Sequence, residues 1–227
     1  MISLLAFGSD GPPVETQSFE AERRRMVAQH LERRGICDWR VLEAMREVPR
    51  HEFVPTAVKT RAYNDHPLPI GFGQTISQPY IVAFMLERLL LKSTDRVLEL
   101  GTGSGYQAAI LSKLVAQVFS IEIIDELSRR ASADFQRLGY RNILLKSGDG
   151  YEGWPEFAPF DAITVAAATD QVPEPLIAQL REGGRMVIPV GDAFEQNLLL
   201  IEKHSGALRK RVMCPVRFVP FTRKAED

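Results

Sequence analysis

A hydroxyl and a run of glycines carry the chemistry legible in this chain. Ser77 lies in the stretch Gly73-Gln74-Thr75-Ile76-Ser77-Gln78-Pro79, upstream of Val97-Leu98-Glu99-Leu100-Gly101-Thr102-Gly103-Ser104-Gly105-Tyr106. The first reads as a place for a substrate, the second as a place for a nucleotide-like cofactor. A glycine-rich turn after a parallel strand lets a cofactor approach the backbone, because a side chain on Gly101, Gly103 or Gly105 would occupy that space. The dinucleotide fingerprint GxGxxG needs a glycine where Tyr106 stands, so a pyrophosphate cradle is not expected. Glu122 ends the next predicted strand, where an acidic side chain accepts hydrogen bonds from both ribose hydroxyls, a geometry that serves S-adenosylmethionine as well as NAD. Asp149, in Ser147-Gly148-Asp149-Gly150, is placed to accept from an exocyclic adenine amine, although such a tetrapeptide also makes an ordinary turn. Glu99, inside the first strand, is expected near a sulfonium or its amino-acid tail, where a carboxylate stabilises positive charge. S-adenosyl-L-methionine is the cofactor these positions favour.

The elements that must hold these residues follow from periodicity. From Asp95 onward short β-rich runs alternate with helices. Strands are predicted over Arg96 to Leu100, Gln117 to Glu122, Asn142 to Lys146, Phe160 to Ala166 and Arg185 to Val190, and helices over Ser104 to Leu114, Asp125 to Leu138 and Pro173 to Leu180. Such alternation builds a doubly wound, mostly parallel sheet with right-handed crossovers. Two further strands, about Gln196 to Glu202 and Leu208 to Phe218, flank His204-Ser205-Gly206 and should form an antiparallel hairpin. Upstream, Met26, Val27 and Leu31 recur at helical spacing between Phe19 and Arg34, with Gly35 as a C-cap. The arginines of that segment are interleaved with Glu20, Glu22 and Glu32 and read as a solvated face. Asp38 should cap a second helix that ends before Pro49. Residues 50–79 should be mostly irregular, with a short helix after Pro55, and so long an irregular stretch suggests service to a site. Pro79 then suits the first turn of a helix running to about Lys92, burying Ile81, Phe84, Met85, Leu89 and Leu90.

Composition sets the outer limits. The chain has 227 residues, 45% hydrophobic and 25% charged, which fits an ordinary globular protein of one compact domain. Lys and Arg number 28 against 29 Asp and Glu, so no excess positive charge argues for nucleic acid. Cys37 and Cys214 have no CxxC spacing, which gives neither a disulfide framework nor a metal site and fits a reducing cytoplasm. The apolar start Ile2-Ser3-Leu4-Leu5-Ala6-Phe7 is too short for a membrane span and lacks a basic leader. The expected organisation is a poorly ordered start (residues 1–18), an N-terminal helical and substrate-loop segment (19–78) and a core (79–227). Balanced charge and the absence of a heptad pattern favour a monomer.

From Val48 to Pro220 the chain resembles the protein-L-isoaspartate O-methyltransferases. The resemblance is carried by Val48-Pro49-Arg50, Phe53-Val54-Pro55, Ala62-Tyr63, Gly73 to Pro79, the glycine turn, Phe119-Ser120-Ile121-Glu122, Gly148-Asp149-Gly150, Pro159-Phe160-Asp161, Gln179-Leu180, Gly183-Gly184, Pro189-Val190-Gly191 and Phe218-Val219-Pro220. Thr75-Ile76-Ser77-Gln78-Pro79 is the most specific of these. His51 and Phe221 depart from the pattern, and neither is expected to touch the chemistry. The resemblance implies a Rossmann-like methyltransferase fold with an added N-terminal helical segment. It implies methylation of L-isoaspartyl, and more slowly D-aspartyl, residues in aged proteins, whose esters close to succinimides and reopen partly as normal aspartate. It implies cofactor contacts from Gln74, Thr75, Ser77, Glu99, Gly101, Gly103, Gly105, Glu122, Ile123, Asp149 and Gly150, and substrate contacts from Thr75, Ile76, Ser77, Gln78, Phe218 and Val219.

The acceptor in such a reaction is a free α-carboxylate with a pKa of roughly 3.3–3.9, ionised at neutral pH. No general base is then required, and His30, His51, His66 and His204 need no catalytic role. Ser77 is expected to donate a hydrogen bond to that carboxylate, and the segment at Phe218 to pair through its main chain with an extended peptide. A methyltransferase for a small molecule or an RNA base would share the cofactor site but leave the Ser77 segment without a task, as would a non-catalytic cofactor-binding module.

Overall fold

The structure, a computed structural model, describes residues 14–223. Its centre is a seven-stranded sheet with strand order β5-β4-β3-β6-β7-β8-β9. The strands are β3 (Arg96–Leu100), β4 (Gln117–Glu122), β5 (Ile143–Ser147), β6 (Phe160–Val165), β7 (Leu180–Gly191), β8 (Gln196–His204) and β9 (Ala207–Val216). Pairing is parallel from β5 through β7 and antiparallel from β7 to β9. Helix α4 (Tyr106–Leu114) joins β3 to β4, α5 (Asp125–Leu138) joins β4 to β5 and α6 (Glu174–Gln179) joins β6 to β7, while the link from β5 to β6 holds only the 3-10 turn Pro155–Phe157. The order reverses at β3, with β4 on one side and β6 on the other, and a crevice opens beyond the carboxyl ends of the strands at such a point.

Alternate side chains of each strand serve two separate cores. Val97, Val118, Ala162 and Val187 pack with α4, α5 and the N-terminal helices. Their neighbours Leu98, Phe119, Ile163 and Met186 pack on the opposite face with Leu176 and Leu180. The predicted strands and helices of this region are all present. β7 begins earlier than expected because Leu180 pairs with Phe160 before a register shift. A Cβ on Gly184 at that shift would stand 2.8 Å from Leu180 Cδ1 and 3.0 Å from Asp161 O, so the irregular strand needs glycine there.

The N-terminal part departs more from expectation. The expected poorly ordered start covers residues 1–18, of which 1–13 lie outside the described residues, and helix α1 spans Val14–Met26. It continues as a π turn over Val27–Leu31 and a 3-10 turn over Glu32–Arg34 rather than as one regular helix. Met26, Val27 and Leu31 are buried, and Gly35 ends the run at φ 90°. Asp38 caps α2 (Trp39–Glu47) by accepting from the backbone N–H of Arg40 at 2.9 Å and Val41 at 3.4 Å. Between residues 50 and 79 stand two 3-10 helices, Arg50–Phe53 and Thr56–Arg61, and a two-stranded hairpin, β1 (Leu68–Gly71) and β2 (Gln74–Ile76), that periodicity had not disclosed. α3 runs over Pro79–Arg88, shorter than expected, and Leu90 at φ 50° is 58% exposed instead of buried. Ile81 and Phe84 are only half-buried.

Among the described residues no helix is long and apolar enough to cross a membrane, and no group of His, Cys, Asp or Glu could hold a metal ion.

Candidate active site

A cleft of about 820 Å³, including its open mouth, lies beyond the carboxyl ends of β3, β4 and β6. Three regions of the chain build its walls: Gln74 to Ser77 from β2 and the entry to α3, Gly101 to Ser104 between β3 and α4, and Val219 to Thr222 beyond β9. The last of these is tied down by Ala168, whose N–H donates to Val219 O at 2.8 Å and whose carbonyl accepts from Phe221 N at 2.7 Å.

The glycine turn is held from beneath. Gly101 N donates to Ile121 O at 2.9 Å, and Gly101 and Gly103 have φ values of 84° and 55°, which favour residues without a Cβ. Glu122, 4% exposed, accepts from Gly103 N at 2.7 Å through one carboxylate oxygen and from Ile124 N at 2.9 Å through the other. The carboxylate therefore locks the turn and the start of α5 together while also lining the cleft. Gly105 has a different task from the one expected of it. It is absent from the cleft wall, and a Cβ there would lie 2.7 Å from Phe135 Cε1, so this glycine admits the close packing of α5 on α4.

Glu99 lies behind the turn, fully buried, and accepts from Ser120 Oγ at 2.6 Å. Ser120 Oγ in turn lies 2.6 Å from the Thr102 hydroxyl, and Thr102 lines the cleft. Burial pushes the Glu99 carboxyl up to about 8, against the opposing pull of the Ser120 hydrogen bond. Its route to the cleft is thus through two hydroxyls rather than direct. Gly150 and Ile123 line the cleft and Asp149 does not. Asp149 accepts from Tyr151 N at 2.9 Å and from Arg223 Nε at 2.8 Å, with the Arg223 guanidinium 3.7 Å above the Tyr151 ring.

On the other side, Gln74, Thr75, Ile76 and Ser77 line the cleft, whereas Gln78 turns away and donates to Asp65. Val219 lines it and Phe218 does not. Phe218 N–H donates to Gln196 Oε1 at 2.7 Å and its carbonyl accepts from Gln196 Nε2 at 3.3 Å, so these main-chain groups are already engaged. Phe221, set aside in the sequence reading as remote from the chemistry, is part of the cleft wall. Ala166 and Ala167, which follow β6, also line it and were missed, although position after a strand end in a doubly wound sheet points to them. Tyr106 and Gln107, from the first turn of α4, complete the floor. Among the described lining residues Glu122 is the single charged side chain, and none is Lys, Arg or His. His51 stands elsewhere, stacked on Phe19 at 4.3 Å and 2.6 Å from the Tyr63 hydroxyl, with burial holding its ring down at about 4.

The cleft fits an adenosyl cofactor on three counts: an exposed glycine turn, an acidic side chain at the end of the adjacent strand, and apolar walls from Leu100, Ile121 and Ile124. Fold and cleft together define a Rossmann-like, S-adenosylmethionine-dependent methyltransferase. The sequence profile of the protein-L-isoaspartate(D-aspartate) O-methyltransferase family matches residues 21–226, and the chain belongs to that family. A protein-L-isoaspartate O-methyltransferase of Opitutus terrae is 55% identical over 204 residues, covering 89% of this chain and 88% of the relative. A second, from Syntrophobacter fumaroxidans, is 57% identical over 233 residues, covering 98% and 94%. Among solved structures, a protein-L-isoaspartate O-methyltransferase superposes with a TM-score of 0.80 at 33% identity, covering 87% of this chain and 65% of that one. A Plasmodium falciparum structure described as a protein of the same kind, in complex with S-adenosyl-L-homocysteine, gives 0.79 at 28% identity, covering 89% and 99%. The activity is accordingly methyl transfer to L-isoaspartyl residues, the entry to protein repair.

Proposed function

We propose that this chain methylates the free carboxylate of damaged residues, the α-carboxylate of isoaspartyl and the side-chain carboxylate of D-aspartyl residues, by alignment alone, with Ser77 as the residue that holds the acceptor. The observation that carries this reading is the placement of Ser77 on the same cleft as the glycine turn and Glu122, in a wall that offers no basic side chain among the described residues. An isoaspartyl α-carboxylate is already anionic at neutral pH, so extraction of a proton would gain nothing. S-adenosyl-L-methionine supplies a methyl group already activated on a sulfonium. Gly101, Gly103, Glu122, Ile123 and Gly150 hold the nucleoside portion, and Gln74, Thr75 and Ser77 close the opposite side. Orientation of this kind is worth about 7–11 kcal/mol in well-aligned systems. Glu99 supports the turn through Ser120 and Thr102.

The partners that fit are isoaspartyl-containing proteins and peptides, with no part for nucleic acid in a chain of balanced charge. A cytoplasmic monomer is the setting proposed, on the grounds of that charge balance and two unpaired cysteines. The test uses an isoaspartyl peptide, its normal aspartyl twin and a methyl-labelled cofactor. Base-labile label should enter the isoaspartyl peptide only. Ser77→Ala should lower turnover roughly tenfold to a hundredfold, the worth of one hydrogen bond to a charged group, and leave cofactor affinity unchanged. Equal labelling of both peptides would end the substrate assignment, and full turnover in the variant would end the role of Ser77.

A further inference from the structure

Ser77 is held in place by its two neighbours, and both are anchored to the same short segment upstream. On one side Ile76 is buried at 3% exposure and pairs with Leu68 across the β1–β2 hairpin. On the other side Gln78 donates through Nε2 to Asp65 twice, at 2.9 Å to Oδ2 and at 3.0 Å to the main-chain carbonyl. Asp65 Oδ1 also accepts from Tyr80 N at 3.1 Å. Tyr80 is the second residue of α3, and its N–H is among those a helix leaves without an internal partner. Gln78 itself makes no side-chain cap there, so Asp65 caps α3 from a distance. A third contact closes the arrangement: Arg34 Nη1 lies 2.6 Å from Asp65 Oδ2, and its guanidinium stacks 3.5 Å from the Tyr80 ring centroid.

Asp65 is itself fixed. Its side chain is 12% exposed. Buried Arg50 donates to Ala62 O at 2.7 Å and reaches His66 O at 3.5 Å, gripping the chain on both sides of Asp65. The Arg50 guanidinium also lies 4.9 Å from the ring centroid of Tyr106, which lines the cleft. One carboxylate thus joins the end of the N-terminal helical run, the start of α3 and the residue that follows Ser77.

We propose that Asp65 is a positioning residue for methyl transfer, holding the Ser77 hydroxyl at its place on the cleft by fixing Gln78 and the first turn of α3. The proposal rests on the reading that Ser77 binds the acceptor carboxylate. Asp65 does not line the cleft, and the cleft residue adjoining its contact with Gln78 is Ser77. Displacements of about 1 Å at a reacting group can cost a hundredfold in rate.

The experiment is a double-mutant cycle with Asp65→Asn, Ser77→Ala and the pair, measured as kcat and KM on an isoaspartyl peptide, beside the dissociation constant for S-adenosylhomocysteine. Asparagine keeps an oxygen for Tyr80 N but presents an amide to the Gln78 amide and to Arg34. Asp65→Asn should lower kcat about tenfold or more while S-adenosylhomocysteine affinity stays within about twofold, and it should cost almost nothing further when Ser77 is already alanine. An unchanged kcat, or the same loss with and without the serine hydroxyl, overturns the proposal. Full turnover in Ser77→Ala alone removes the reading beneath it, and is distinguished by that single variant. Should Asp65→Asn fail to fold, Gln78→Met, which deletes only the bonds to Asp65 at similar volume, is read in the same way.

Discussion

Replacing Glu122 by Gln alters one atom of the cleft wall and tests how the glycine turn is built. Each carboxylate oxygen accepts from a different backbone N–H, Gly103 at 2.7 Å and Ile124 at 2.9 Å, and the side chain is 4% exposed. A carboxamide has one oxygen, so one of these donors must face an NH2 group. The loss is one hydrogen bond to a charged group, about 1.5–3 kcal/mol, and the surviving bond is weakened because its acceptor is now neutral. For a chain of this length each kcal/mol corresponds to about 2–4 °C in melting temperature, so a fall of roughly 3–12 °C is expected without cofactor. The same turn lines the cleft, and on the proposed placement of the cofactor the affinity for S-adenosylhomocysteine, measured by titration calorimetry, should fall by at least about tenfold. An unchanged melting temperature together with unchanged affinity would show that Glu122 does not hold the turn.

Three other substitutions probe separate parts of the design. Gly105→Ala places a Cβ 2.7 Å from Phe135 Cε1 at a φ of 86°, and should cost about 1–3 kcal/mol in a urea titration, partly recovered by Phe135→Leu; an unaffected midpoint would refute the packing role. Glu99 has a folded-state pKa of about 8, above its ordinary value of 4.5, so between those values the folded chain binds more proton than the unfolded one. The stability of the free protein should therefore fall as pH rises through that window, and Glu99→Gln should flatten the melting temperature between pH 5 and 8; equal slopes in both proteins would contradict the buried placement. Phe221→Ala should weaken S-adenosylhomocysteine binding about tenfold, the scale of one lost aromatic contact, with little change in melting temperature; equal affinity would remove Phe221 from the cofactor wall.

The sheet was legible because its strands state themselves locally. Arg96–Leu100 and Gln117–Glu122 are short apolar runs with polar ends, and Asp125–Leu138 is an amphipathic helix closed by Gly139; their observed bounds match the periodicity. The order of the Ser77 segment and the glycine turn also marked where a site would assemble. What stayed hidden depends on partners distant in sequence. The β1–β2 hairpin turns through Gly71, Phe72 and Gly73, all at positive φ, a conformation no dipeptide rule singles out. Gly105 looks like a cofactor glycine until Phe135 is seen against it. Asp65 carries no motif of its own, and its importance emerges only when Gln78, Tyr80 and Arg34 converge on it. The path of the chain beyond β9 hid Phe221 in the same way, since bonds to Gln196 and Ala168, distant in sequence, bring it over the cleft.

A cleft whose described wall carries one negative side chain and no positive one has a bearing on selectivity inside a crowded cell. Every folded protein displays aspartate and glutamate side chains, in vast excess over the rare damaged linkage. A guanidinium at the mouth would attract all of them alike and keep the site clogged with undamaged surfaces. On the proposed role of Ser77 the wall itself offers an acid group a hydroxyl rather than a cation, so the linkage that bears the acid must fit the wall as well. On the proposed reading, a weak grip on carboxylates in general would leave the site vacant for the few that need attention.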